Sequence, residues 1–232
     1  MPPLTDLHWD RGVRIIRSIH PPIDLFEDIA DPADWPLLVA AEQKTNPRLM
    51  ASIGNLDLVP VEQRVAGPGA SWLMAPFTHV SRDRPSRFTA GDRGVLYAGD
   101  RFEVALFETI HHHARFMRAT DEPAGWTSAF RELHLVVRGA LHDLRVDPVS
   151  WREVLDPDDY AAAQALAIRL RTAGSEGVVY PSVRCPDGQC AGLFRPDRAS
   201  RPRQGRHLHY HWNGERVDLY RDAGSGSVYR IS

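Results

Sequence analysis

Short apolar, β-branched runs outnumber helical patterns along this chain and do not alternate with them, which limits the folds open to it. "VRIIRSIH" (13–20), "GVLYAG" (94–99), "ELHLVV" (132–137), "ALHDLRV" (140–146), "GVVYPSV" (177–183) and "AGLFRP" (191–196) all read as strands. "RHLHYHW", "ERVDLY" and "SVYRI", within residues 206–231, read as a β-meander whose first turn is Asn213-Gly214. Helical patterns are fewer. One starts near Ala33, with Asp31 as cap and Pro32 at the first helical position. Another follows Asp100, where Asp100 and Glu103 have the spacing of a capping box. The third, "DPDDYAAAQALAIRLRTAG", is acidic at its start, basic at its end and closed by Gly174. Such a series predicts a single α+β domain over residues 1–232, not a doubly wound fold. Residues 46–88, rich in Pro, Gly, Ser and Arg, read as loop.

Charge and composition narrow the function classes. A formal net charge of −2 does not suit a protein that binds nucleic acid by neutralising phosphates. Nearly all the positive charge is arginine, Lys44 being the one lysine, and a planar guanidinium matches phosphates and carboxylates. No apolar run approaches the ~20 residues that span a bilayer, and the N-terminal residues lack a signal-peptide layout. Two cysteines, Cys185 and Cys190, are too few for a disulfide framework. The expected setting is the cytoplasm.

Several common site motifs are missing. The chain has no G-x-G-x-x-G, P-loop or G-x-S-x-G. Cys185 and Cys190 lack the second pair that a structural zinc site needs. Three consecutive residues, His111, His112 and His113, point to three sides of a helix and cannot chelate one ion. His207, His209 and His211 alternate on one strand and share a face, which keeps open a metal-binding or metal-dependent hydrolase alternative.

One stretch puts chemistry-bearing residues close together. In "GVLYAGDRFEVALFETIHHHARF", Glu108 adjoins an apolar helical stripe of Phe102, Leu106, Ile110 and His113. Tyr97 ends the strand before that helix, so a strand-turn-helix can bring an aromatic ring and a carboxylate to one cleft. "SRF" supplies Arg87 upstream, and "YPSVR" supplies Ser182 at the end of another strand.

Taken together, "APFTH…SRF…GVLYAGDRFEVALFETIHHHARF" and "GVVYPSVRCPDGQCAGLFRP" closely resemble the RES-domain family, the toxins of Xre–RES toxin–antitoxin modules. The likeness is densest at 75–118 and 176–196, within a motif core of 75–196. The resemblance implies a fold related to the ADP-ribosyltransferases, built on a split mixed or antiparallel sheet. It also implies NAD+ as substrate without a metal, cleavage by glycohydrolysis or phosphorolysis, and an Xre-like antitoxin as partner. Transfer of ADP-ribose to a host protein is the close alternative. Carried over by position, the family's first arginine falls on Arg17, with Arg14 as the other choice. The second arginine falls on Arg87, the tyrosine on Tyr97, the glutamate on Glu108 and the serine on Ser182. Thr78, His79 and His112 match further recurrent positions and are expected to bind substrate. Glu108, Tyr97 and Ser182 are the expected catalytic set.

Overall fold

The computed structural model of the chain describes residues 1–20, 22–27, 31–42 and 52–231. Pro21 and the 46–51 start of the expected loop fall outside these. In chain order the elements are β1 (Leu4–Arg17), α1 (Asp24–Glu27), α2 (Trp35–Glu42), α3 (Ala70–Thr78), β2 (Leu96–Gly99), α4 (Phe102–Met117) and β3 (Thr127–Asp143). After these come α5 (Ala161–Thr172), β4 (Gly177–Pro181), β5 (Gln189–Leu193), β6 (Ala199–Trp212), β7 (Val217–Asp222) and β8 (Val228–Arg230).

β3 organises the sheet. One of its edges pairs antiparallel with β1, from Leu4↔His142 to Arg17↔Phe130. Its other edge takes β6 antiparallel along its first part and β4 parallel at His142 and Asp143. β4 continues antiparallel to β5, and β5 to β2. β2 returns to β1 through one pair, Val13↔Gly99. The result is a mixed eight-stranded sheet in two parts: β1-β3-β6-β7-β8, and the smaller β2-β5-β4. The α+β split sheet expected from the sequence is the fold observed.

Three apolar clusters hold these parts together. Leu133, Leu135, Val137 and Leu141 of β3 pack with Leu96, Val179 and Leu193 and with Phe26, Trp35, Leu73 and Phe77 of the first three helices. α5 lays Ala163, Leu166 and Leu170 against Val178, Phe88 and Phe194. α4 lays Leu106, Ile110, Ala114 and Met117 against Val13, Ile15, Phe130, Leu208 and Tyr210. Each fully buried Leu, Ile or Phe contributes about 1.5–3 kcal/mol of transfer free energy, so α4 is fixed by its apolar stripe.

The structure corrects three sequence expectations about elements. "ELHLVV" and "ALHDLRV" form one strand, because Gly139 sits inside β3 where a Cβ would lie 2.7 Å from Glu176 Oε2. The 46–88 segment contains a buried helix, α3, despite Pro76 inside it. Its N-terminus is capped from far upstream, since Glu27 accepts hydrogen bonds from the Gly69 and Ser71 N–H groups. No capping box forms at α4. Arg101 is the N-cap residue, and Asp100 accepts from Arg101 Nη1 at 3.3 Å instead.

Candidate active site

A cavity of about 210 Å³ opens where β1 and β2 meet through one residue pair. β1 contributes Val13, Arg14 and Ile15, and β2 contributes Tyr97, Ala98 and Gly99. α4 adds Ala105, Glu108, Thr109 and His112, the stripe beside its buried face. Gly99 lets this helix close on β2, because a Cβ there would lie 2.8 Å from Val104. Val104, Ser86, Arg87, Tyr160, Tyr180 and Cys190 complete the lining.

Glu108 is hydrogen-bonded through one oxygen and faces a guanidinium through the other. Ser182 Oγ donates to Oε1 at 3.0 Å, and Arg184 Nη1 lies 3.6 Å from Oε2. Ser182 Oγ in turn accepts from the N–H groups of Arg184 (3.3 Å) and Cys185 (3.1 Å). With both of those contacts accepting, the single hydroxyl proton is directed to the carboxylate. Ser182 itself is absent from the cavity lining, so it reaches the cavity through Glu108.

The tyrosine is held as firmly. Its hydroxyl accepts from Phe88 N–H at 2.9 Å and pairs with Ser86 Oγ at 2.9 Å. Burial pushes that hydroxyl up to about 12, so Tyr97 is neutral at physiological pH and presents its ring. Beside it, Arg14 Nη1 donates to the Tyr97 carbonyl at 2.9 Å. Desolvation lowers Arg14 to about 10, which leaves the guanidinium charged at neutral pH.

Arg87 is almost fully buried. Its Nη1 donates to the carbonyls of Val154 (3.0 Å) and Asp156 (2.7 Å), and its guanidinium lies over the Tyr160 ring at 4.8 Å. Its Nη2 is buried with no hydrogen-bond partner among the described residues. A buried donor left unpaired costs free energy that an anionic ligand would recover.

The expected substrate-binding set is only partly brought together. Arg87 and His112 line the cavity, whereas Arg17, Thr78 and His79 do not. Arg17 lies over the Phe116 ring at 5.8 Å. Three residues apart on a strand, Arg14 and Arg17 face opposite ways, and Arg14 takes the place expected for Arg17. Thr78 is buried at the end of α3, with its Oγ1 3.1 Å from His79 Nδ1. The sequence gives no sign that Tyr160, Tyr180, Arg184 and Cys190 belong to the site, Cys190 being read there only as a cysteine without zinc or disulfide partners. Tyr180 and Arg184 are the first and last residues of "YPSVR", Cys190 follows it, and only the pairing of β4 with β5 brings Cys190 opposite Tyr180.

Of the three consecutive histidines, His112 and His113 point to different sides of α4. His112 lines the cavity, while partial desolvation and the nearby His111, Arg184, Arg115 and Arg87 hold it down at about 4. His113 is buried against Phe130 and Tyr210, and burial with the Arg17 charge lowers it to about 4. On β6, His211 Nδ1 meets Asp218 Oδ1 at 2.6 Å and His207 meets Gln204. Among the described residues no group of three or more His, Cys, Asp or Glu converges as a metal site would require.

His113 gives a pH prediction. Its folded value, about 4, lies below its ordinary 6.5, so the unfolded chain binds the extra proton between these values. Stability is therefore full above ~6.5 and falls as the pH drops towards ~4, by up to about 3 kcal/mol for a depression of this size. His113→Phe keeps the aromatic packing and removes this loss. Urea unfolding at pH 7 and pH 4.5 should show a smaller difference for the variant than for wild type, and equal differences would exclude His113 as the source.

Comparison with known proteins adds family information to this geometry. The RES domain family model matches residues 62–213, a span that includes Arg87, Tyr97, Glu108 and Ser182. "Uncharacterized protein y4oC" of Sinorhizobium fredii (strain NBRC 101917 / NGR234) is 30% identical over 225 residues, covering 93% of this chain and 90% of its own. In shape the chain is similar to one in the crystal structure of the M. tuberculosis MbcT–MbcA toxin–antitoxin complex. That match has a TM-score of 0.44 and 10% identity, over 87% of this chain and 86% of the other. No helix among the described residues is long and apolar enough to cross a membrane.

Proposed function

The chain belongs to the RES domain family, and we propose on that premise that it is the toxin of a toxin–antitoxin pair that cleaves the nicotinamide–ribose bond of NAD+. One observation carries the reading. A single cavity combines a carboxylate hydrogen-bonded through one oxygen and ion-paired through the other, two guanidiniums and a tyrosine wall.

When the bond breaks, nicotinamide leaves as a neutral molecule with the bonding electron pair, so no acid is needed to expel it. The sugar is left with oxocarbenium character, as in glycoside hydrolysis. A fixed carboxylate at Glu108 stabilises that charge without reorganising during the reaction. Water or phosphate then adds to the sugar and gives up a proton, for which the Glu108 carboxylate is an acceptor. Arg14 and Arg87, both in the cavity lining, suit the pyrophosphate oxygens. The rings of Tyr97, Tyr160 and Tyr180 suit a cationic pyridinium. About 210 Å³ is smaller than the ~300–1,000 Å³ of pockets that enclose a drug-sized ligand, so the cavity takes one end of the dinucleotide. If a host protein supplies the acceptor, the same first step leads to ADP-ribosylation.

An Xre-like antitoxin is the proposed partner, acting by closing this arginine-lined cavity. Expression of the chain alone should drain cellular NAD+ and arrest growth, and co-expression of the antitoxin should restore both. Arrest with NAD+ unchanged would remove NAD+ consumption from the account.

A further inference from the structure

We infer that Arg184 is the residue that positions Glu108 for reaction, an inference that rests on the reading of the cavity as an NAD+-cleaving site. Arg184 lies just behind the cavity, in the turn that joins β4 to β5, and its side chain is 10% exposed. One half of the guanidinium is fixed from behind. Nη2 donates to the Pro157 carbonyl at 2.7 Å and approaches Tyr160 Oη at 3.4 Å. The other half is aimed at the carboxylate: Nη1 is buried, has no hydrogen-bond partner among the described residues, and lies 3.6 Å from Glu108 Oε2.

The turn that carries Arg184 is itself rigidly placed. Ser182 N–H donates to the Gly188 carbonyl at 2.8 Å, and Gly188 N–H donates to the Cys185 carbonyl at 3.1 Å. Gly188 packs so closely on α4 that a Cβ there would lie 2.3 Å from Val104. One turn therefore supplies Ser182 to one oxygen of Glu108 and Arg184 to the other, and it is docked on the helix that carries the glutamate. A carboxylate held only by the serine hydroxyl could rotate about its last torsion, whereas a cation facing the second oxygen favours one orientation of the group.

Stability alone does not account for the pair. Glu108 is 22% exposed, and ion pairs buried to this degree recover little beyond their desolvation cost. What such a pair does supply is a fixed orientation, and errors of about 1 Å at a reacting group cost on the order of a hundredfold in rate.

Steady-state NAD+ turnover of wild type, Arg184→Met and Arg184→Lys tests this. For Arg184→Met the expected result is a fall in kcat of about 10- to 100-fold with KM changed by less than about threefold. Arg184→Lys should recover part of kcat, because an ammonium group can still approach Oε2. A kcat for Arg184→Met equal to wild type, or a lysine variant no better than the methionine one, overturns the inference. If wild type itself consumes no NAD+, the proposed function fails, and crystal structures decide the positioning role separately. Glu108 displaced from its Ser182 contact in Arg184→Met supports that role, and an unmoved Glu108 overturns it.

Discussion

Replacing Glu108 with glutamine is expected to lower NAD+ turnover by about 10²–10³, the cost of removing one charge-stabilising group of about 2.7–4 kcal/mol. The variant isolates charge from shape. Glutamine has nearly the same volume, and its carbonyl oxygen can still accept the Ser182 hydroxyl that reaches Oε1 at 3.0 Å. It cannot offset positive charge at the sugar, and it leaves Arg184 without its ion-pair partner. The buried stripe of α4, including Leu106, Ile110 and Met117, is untouched, so the thermal transition should stay close to that of wild type. Loss of activity together with loss of folding would mean that Glu108 acts structurally. Wild-type turnover by a folded variant would remove it from the chemistry.

Arg87→Lys carries the second large effect although it preserves charge. The arginine uses one nitrogen for the carbonyls of Val154 and Asp156, while its other terminal nitrogen is buried without a hydrogen-bond partner among the described residues, and the residue lines the cavity. A single ammonium on a flexible stem cannot hold the loop and meet a pyrophosphate at the same time. Hydrogen bonds to charged groups are worth about 1.5–3 kcal/mol, so NAD+ affinity should fall by roughly 10- to 100-fold. Calorimetric titration of NAD+ into Glu108→Gln, with and without Arg87→Lys, measures this without turnover. Equal affinities would leave Arg14 as the main anion ligand of the cavity.

What the sequence made legible was local. Tyr97 and Glu108 are joined by a short strand-turn-helix, so their meeting at one cavity follows from β2 and α4 being neighbours in the chain. The C-terminal meander is likewise a run of adjacent hairpins, and Asn213 accepts the N–H groups of Glu215 and Arg216 in its first turn. Features that depend on distant partners were not legible. α3 reads as loop because its cap, Glu27, comes from α1. The capping-box spacing at Asp100 and Glu103 was misleading, because Arg101 starts the helix with its own side chain tied to the carbonyls of Pro186 and Asp187. Arg14 and Arg17 differ only in which side of β1 they occupy, which depends on where the seam with β2 falls. Tyr160 reaches the cavity from the loop before α5, beneath the guanidinium of Arg87. Nothing in the local pattern of residues 154–160 marks that contact.

The most direct test is release of nicotinamide from NAD+ labelled in the nicotinamide ring, using the purified chain alone. Because bond cleavage precedes the choice of acceptor, the label should appear as free nicotinamide whether water, phosphate or a protein receives the ADP-ribose. The account predicts release by wild type and release lowered about 10²–10³-fold by Glu108→Gln. A folded wild-type protein that releases no label, with water, phosphate and candidate host proteins each supplied, would contradict it.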